Sequence, residues 1–592
     1  MDSNGEKMGL KRIMKNIFRL MNEYKFQFIF IGILAIISIL FNIISPLLLG
    51  DAINILIEGA NNIINHTGTF DFDRLCYILL IVGALYIISN VVSYIQSYFM
   101  IKITSNIIYS LKKRMMHKAI HMPMKSIDEN QRGDVIARLT NDLDNLQIAL
   151  SSSFLEIITT ILTLIGTFCM MLLINSWLTF AIICIILLSS ALIGVIIRFS
   201  QKYFEKQMLI QGSTAGQIEE IISSQELVRT LNYENQAIDE FNDNVNEWYN
   251  FEWKSRFFSS LNTPMTTLNF NLGYVAIAVL GSISVLQGTM SIGRVLSFFE
   301  YLKNFTNPLE NLTEMLPHLQ AGIASAERIF EFIEMEEEEE NPSTKKLETF
   351  ENEITFDNIS FGYTEDEKII DNFSLTVKKG EKIAIIGETG AGKTTLIKLL
   401  TRLYDIDSGV IKIDGVNINE YDKDSLRSFM GMVLQETWLF SDTIKENIKY
   451  GNLDATDDKI IDAAKKANAD NFIRQLPEGY DTILTEDGDN ISQGQKQLLT
   501  IARAIISNKE ILILDEATSN VDTRTEMLIQ EALDNLMENK TSFVVAHRLS
   551  TVRNADKIIV LGRGRLIEEG THDELLSLKG YYYNTLKSQG QN

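Results

Sequence analysis

Residues Gly387 to Thr395 read GETGAGKTT and fit the phosphate-loop pattern G-x-x-x-x-G-K-[ST]. A strand-like run, Lys382–Ile386, leads in, and a helical run, Thr395–Tyr404, leads out. That setting gives the motif its chemistry. A glycine-rich turn at a helix N-terminus presents free backbone N–H groups to an anion. Gly387, Glu388, Thr389, Gly390, Ala391 and Gly392 are therefore expected to cradle phosphate. Lys393 is expected to reach the terminal phosphates of ATP as a point charge, and the Thr394 hydroxyl to sit on Mg²⁺. Thr395 completes the binding stretch. The bland alternative is a chance glycine turn ahead of a core helix, and the residues downstream argue against it.

The second nucleotide element is ILILDEATS, Ile511–Ser519, an apolar strand ending in two carboxylates. Asp515 is expected near Mg²⁺, and Glu516 is placed to orient or deprotonate an attacking water. Strand-like runs recur at 354–361, 373–377, 382–386, 410–413, 511–514, 542–545 and 557–561, with helical runs between several of them. They predict an α/β P-loop ATPase domain with an antiparallel β portion at its start.

The first half of the chain reads differently. Phe26–Gly50, Leu75–Ile101, Ile157–Ile197 and Phe257–Gly293 contain no formal charge. About 20 such residues span a bilayer. The third run is divided by the turn Asn175-Ser176-Trp177, and the fourth closes on a turn near Gln287-Gly288. A more polar sixth span is expected over Met290–Leu316, where Glu300 either faces a water-filled cavity or has already reached the inner interface. The reading is a membrane α-helical domain of six transmembrane helices. Lys and Arg crowd the N-terminus and the segment after the second span, which predicts cytoplasmic N- and C-termini. Leu10, Ile13, Met14, Ile17 and Met21 mark one face of an interfacial helix. Two long helical excursions, 102–156 and 198–256, should carry tips near Ser126–Gly133 and Glu226–Gln236 about 40 Å beyond the membrane.

Composition agrees with that division. The chain has 592 residues, 46% hydrophobic and 22% charged, with net charge −22. The acidity argues against nucleic acid as a partner. Its three cysteines form no CxxC pair and its six histidines show no ligand spacing. The first apolar stretch is too long for the core of a cleavable signal peptide. The run Glu336–Glu340 reads as a solvated linker.

Taken together and in order, the motifs resemble those of the ATP-binding cassette exporters, with the membrane domain first. Tyr363, in ISFGY, matches the aromatic that stacks on adenine. Gln435, in VLQETWLF, matches the glutamine that contacts Mg²⁺. ISQGQ, with Ser492, Gln493, Gly494 and Gln495, matches the signature motif. Asp522 matches the aspartate of the dimer-contact loop, and His547, in VVAHRLS, the switch histidine on the γ-phosphate. RGDVIARLTNDLD (132–144) and ASAERIFE (324–331) are similar to segments common in such exporters.

The resemblance implies a transmembrane domain over 1–328, a linker over 329–349 and a nucleotide-binding domain over 350–592. It implies a multi-pass protein of the cytoplasmic membrane that exports a small-molecule, lipid or peptide substrate. It also implies a second half-transporter as partner. Gln493 stands where the family usually has glycine, as in exporters with one degenerate site, so a heterodimer is favoured and a homodimer stays open. The rival reading is an ATP-switched membrane regulator without net transport. Phe298, Phe299, Tyr301 and Phe305, with Asn269 and Asn271, offer candidate substrate contacts, although such an aromatic stripe is more often packing.

Overall fold

The computed structural model describes residues 10–66, 69–129, 132–338, 345–364, 367–434, 437–485, 488, 490–515, 522–546 and 552–588. They form two compact units. The first comprises Met1–Ile120 and Arg132–Met335, the second His121–Gln131 and Glu336–Asn592.

The helices up to the end of the first unit include α1 (Leu10–Asn22), α2 (Lys25–Ile64), α3 (Phe72–Ile120), α4 (Met124–Glu129), α5 (Phe154–Ile174), α6 (Ser176–Ser223), α7 (Glu234–Ser260), α8 (Asn262–Leu286) and α9 (Ile292–Glu334), with short helical turns at Arg132–Ala137, Leu143–Ile148 and Gln225–Thr230. All but α4 belong to that unit. Lys25–Ile64, Phe72–Ile120 and Gly133–Ile174 are long and apolar enough to cross a membrane, and Ser176–Leu187 and Phe270–Leu286 are shorter apolar stretches. The expected sixth span lies in α9.

The turns fall where their residues demand. Asn175 alone separates α5 from α6, and its side chain caps α6 by accepting from Leu178 N at 3.1 Å. Gly288, at φ +70°, follows the end of α8. Ser291 caps α9. On α1, Ile13 and Met21 of the apolar face are buried and Ile17 is half-buried, whereas Met14 is exposed. The first unit's core joins Ile39, Ile43, Met171, Ile182, Ile277 and Tyr301. There α2 and α9 cross backbone to backbone: a Cβ added at Gly293 would lie 1.9 Å from Gly50 O. Beside this crossing Ser297 Oγ donates to Pro46 O (2.7 Å) and Tyr301 OH donates to Ile43 O (2.7 Å).

That core settles two of the candidate substrate contacts. Phe298 and Tyr301 are sealed within it, Phe299 stacks on Tyr274 at 4.0 Å between centroids, and Phe305 packs against the same cluster. These aromatics are packing residues here, because their rings fill the space between neighbouring helices. The Asn269 side chain lies outside the described residues.

In the second unit, β1 (Glu353–Phe361), β2 (Ile370–Lys378), β4 (Ser408–Ile413) and β5 (Val416–Asn417) form an antiparallel sheet in the order β2-β1-β4-β5. A second sheet has the order β10-β9-β3-β8-β7-β6. Its strands are β3 (Lys382–Gly387), β6 (Met430–Val433), β7 (Ile511–Asp515), β8 (Thr541–Val545), β9 (Lys557–Gly562) and β10 (Arg565–Gly570). β3, β6, β7, β8 and β9 run parallel, and β10 returns antiparallel on β9. Continuous apolar runs such as IAII and ILIL suit strands covered on both faces, whereas β2 alternates buried and exposed positions. Phe356 meets Phe373 and Phe543 edge-on at 5.7 and 6.2 Å, locking the two sheets together.

The linker differs from expectation. Glu339 and Glu340 lie outside the described residues, but Glu338 is not a solvated charge. Its carboxylate accepts from Lys423 Nζ (2.9 Å) and from both terminal nitrogens of Arg427 (2.7 and 3.1 Å), and its N–H donates to His121 O (2.8 Å). Burial pushes this carboxyl up, yet the two cations outweigh burial and hold it down at about 2. The acidic run is anchored because one of its members finds two cations on the short helix Lys423–Ser428.

Candidate nucleotide site

The carboxyl ends of four neighbouring parallel strands converge on one edge of the second sheet. Ile385 on β3 pairs with Val545 on β8, Val545 with Asp515 on β7, and Leu514 with Val433 on β6. In parallel α/β sheets, ligands bind beyond these carboxyl ends. The phosphate loop leaves β3 there and enters helix α10 (Lys393–Leu400). Asp515 ends β7. Glu516 and His547, which follow β7 and β8 in sequence, and Gln435, two residues past β6, lie outside the described residues.

The loop is shaped by its glycines. Gly392, at φ +97°, is the left-handed N-cap of α10, and a Cβ there would lie 2.7 Å from Ile370 Cδ1. Gly387 runs so close to β9 that a Cβ would sit 2.4 Å from Leu561 O. Glu388, Thr389 and Gly390 are exposed, and Ala391 is buried. Lys393 folds back over the loop, its Nζ donating to Gly387 O (2.7 Å) and Glu388 O (3.0 Å). Burial pushes its pKa down, and the Asp515 carboxylate opposes that shift. An ammonium held by two carbonyls can transfer to phosphate oxygens without crossing bulk water.

The two threonines that open α10 part company. Thr394 is exposed, whereas Thr395 is buried, with its hydroxyl 3.2 Å from Tyr363 OH. Hydroxyl and carboxylate oxygens from Thr394 and Asp515 are the hard donors Mg²⁺ prefers. Tyr363 is 39% exposed, set edge-on to Phe361 (5.1 Å) and Tyr404 (5.2 Å), with Lys398 Nζ 5.5 Å from its ring centre. Its ring is braced by aromatic edges yet open to a cavity of about 740 Å³ that Tyr404, Arg402 and Lys125 also line.

The signature residues form a different construction. Ser492 caps helix α11 (Gln493–Ser507): its Oγ accepts from Gln495 N (3.3 Å) while Gln495 Oε1 accepts from Ser492 N (2.9 Å). The serine O–H can still donate. Gly494 is buried. Gln493 donates through Nε2 to Thr437 Oγ1 at 3.2 Å, tying the signature to the segment after Gln435. Asp522 caps helix α12 (Thr523–Met537), accepting from Arg524 N (3.1 Å) and Thr525 N (3.0 Å). The Thr525 hydroxyl, together with those backbone bonds, holds its pKa down.

Several contributors escape sequence reasoning. Arg503, whose pKa burial pushes down, donates to Asn447 O (2.9 Å), Trp438 O (3.0 Å) and Asn447 Oδ1 (3.0 Å), joining α11 to the strand-to-helix segment before it. Asp128 on α4 accepts from Tyr404 OH and lies 3.6 Å from Lys398 Nζ. The tip of the first excursion thus touches the two side chains that brace Tyr363. In the first unit, Asp142 accepts from Arg328 and from Ser325 Oγ (2.9 Å), which joins the two exporter-like segments by a buried carboxylate. The only advance signal for these was a charge or hydroxyl inside an otherwise apolar helical period.

Two family models match the chain: "ABC transporter transmembrane region" over residues 28–309 and "ABC transporter" over 370–519. An uncharacterized ABC transporter ATP-binding protein of Bacillus subtilis is 38% identical over 98% of this chain and 94% of its own length. A fatty acid ABC transporter ATP-binding/permease protein of Mycobacterium bovis is 40% identical over 88% of this chain and 82% of its own. An ATP-dependent lipid A-core flippase of Syntrophus aciditrophicus is 36% identical over 86% and 85%.

Proposed function

Because this chain belongs to the ABC transporter family, as an exporter-type half-transporter with its membrane region and ATPase domain on one polypeptide, we propose that it couples ATP hydrolysis to outward movement of a hydrophobic or amphipathic cargo. The observation that carries this reading is the convergence of the carboxyl ends of β3, β8, β7 and β6 beside the phosphate loop, where the Lys393 ammonium is held by Gly387 O and Glu388 O. The protein resides in the cytoplasmic membrane, with both termini in the cytoplasm, as the basic N-terminal segment supports.

In this mechanism Tyr363 stacks on adenine, and the backbone of Gly387–Gly392 holds the phosphates. Lys393 leaves its two carbonyls for the β- and γ-phosphates. Thr394, Gln435 and Asp515 would hold Mg²⁺, which neutralises charge on the phosphates when bound. Glu516 orients the attacking water, and His547 steadies the γ-phosphate. Ser492 and the N-terminus of α11 face the γ-phosphate bound by a partner half-transporter. Catalysis is positioning and electrostatics. ATP drives the change of state because the closed pair of cassettes binds it more tightly. The Asp128–Tyr404–Lys398 contact carries closure from the adenine pocket to α4.

A heterodimer is favoured, because the Gln493 side chain adds bulk where a partner's nucleotide must approach. Co-purification of tagged and untagged copies expressed alone tests this: a stable homodimer that hydrolyses ATP overturns the heterodimer. For the reaction itself, Glu516→Gln should cut ATP turnover by at least about 100-fold while ATP binding persists. Turnover equal to the parent protein's would place the water-activating group elsewhere.

A further inference from the structure

The first unit holds a cavity of about 520 Å³ among α2, α3 and the start of α5. A crevice facing only hydrocarbon would be apolar, and this one is not. Asn42, Ser93, Gln96, Ser97, Glu156 and Thr159 line it. Gln96 is only 4% exposed, and its amide has no hydrogen-bond partner among the described residues. A primary amide offers two donors and an acceptor oxygen, and burying it unpaired within a membrane span is costly. The side chains of Asn42 and Ser97 are also unpartnered among the described residues. Ser93 is bonded to Ser38 (2.8 Å) and Thr159 to Glu156 O (3.0 Å), which leaves acceptor lone pairs on both hydroxyls.

One charge sits in this wall. The Glu156 carboxylate accepts from Asn311 Nδ2 at 3.2 Å, and no ion pair to it is present among the described residues. Ile39 and Leu155 supply apolar wall beside it. A half-buried carboxylate with spare acceptor capacity, next to an unpaired amide and an apolar strip, is complementary to one kind of ligand. We infer that this cavity binds a cationic amphiphile, its ammonium on Glu156, its hydrogen-bonding head on Gln96 and Asn42, and its tail along Ile39 and Leu155.

The inference rests on the transport reading and narrows the cargo within it. It also separates this chain from relatives named for fatty acids, since a fatty acid carboxylate would face Glu156 with like charge. The probes are dodecylamine, dodecanol and dodecanoate, which share a tail and differ in head charge. Their equilibrium binding is measured to the full-length protein in nanodiscs without nucleotide, with protein-free nanodiscs subtracted. Dodecylamine should bind about tenfold more tightly than dodecanoate. The isosteric change Glu156→Gln should abolish that preference, and the isosteric Gln96→Glu should strengthen dodecylamine binding by a similar factor. Equal or better binding of dodecanoate by the parent protein overturns the inference. So does a preference that survives Glu156→Gln. ATP turnover of the same samples reports separately on the transport reading: a protein that hydrolyses ATP but shows no head-group preference loses only the cavity assignment.

Discussion

Asp142 offers a perturbation whose size can be worked from the structure. Its side chain is 6% exposed and accepts from Arg328 through both Nε (2.8 Å) and a terminal nitrogen, and from Ser325 Oγ (2.9 Å). It ends the π-helical turn Arg138–Asp142, and a second such turn, Ala149–Ser153, follows. The two π turns interrupt the α-helical ladder on either side of the short α-helix Leu143–Ile148, so attachment to α9 through Asp142 sets the stability of this stretch. Asp142→Asn keeps the shape but leaves one acceptor oxygen, and its NH2 meets the other Arg328 N–H donor to donor, so one charge-assisted bond, worth about 1.5–3 kcal/mol, is lost and the others become ordinary ones worth about 1 kcal/mol. Arg328 is 44% exposed and can regain water, which holds the net loss near the lower end, about 2 kcal/mol. At about 1.4 kcal/mol per tenfold, amide hydrogen exchange across 138–153 should accelerate about 30-fold. Arg328→Gln should do much the same, and the double variant should add little to either. Unchanged exchange in Asp142→Asn, or strictly additive effects, would refute the pin.

Three further outcomes follow from the geometry. The Glu338 carboxyl is held below its ordinary value of 4.5, at about 2, so the stability it contributes is complete above pH 4.5 and is lost as pH falls toward 2. Limited acid proteolysis near 336–338 should therefore rise steeply across that window in the parent protein and be nearly flat, already high, in Glu338→Gln; identical profiles would contradict the clasp. Gly293→Ala forces α2 and α9 apart at their crossing, a strain of about 1–3 kcal/mol, and should lower the thermal aggregation temperature in detergent. No change would mean the helices do not meet there. Tyr363→Ala removes the ring expected under adenine and should raise KM for ATP about tenfold with kcat little changed; an unaltered KM assigns the base elsewhere.

The phosphate loop was legible because its spacing, flanking strand and flanking helix are all local properties. So were Asn175 and Gly288 as turns, since one caps a helix and the other takes positive φ. β5, β6 and β10 escaped, being short or edge strands whose place depends on pairing partners distant in sequence. The reading of Glu336–Glu340 as fully solvated failed at Glu338 for the same reason: Lys423 and Arg427 lie 85 and 89 residues away. The bond from Gln493 to Thr437 was equally hidden, although the replaced glycine had drawn notice to the position. Gln96 and Glu156 were invisible as a pair because each lies in or beside its own apolar stretch, and only helix packing sets them around one cavity.

The account's central claim is that nucleotide held at Gly387–Thr395 powers movement through the helical unit. Its most direct test is ATP hydrolysis by the purified protein, with any partner it requires, in sealed proteoliposomes, comparing the parent protein with Lys393→Ala at equal ATP occupancy. The account predicts Mg²⁺-dependent turnover in the parent, accelerated by dodecylamine, and a loss of at least about 100-fold in the variant. Equal turnover in the two, or none in either, would contradict it.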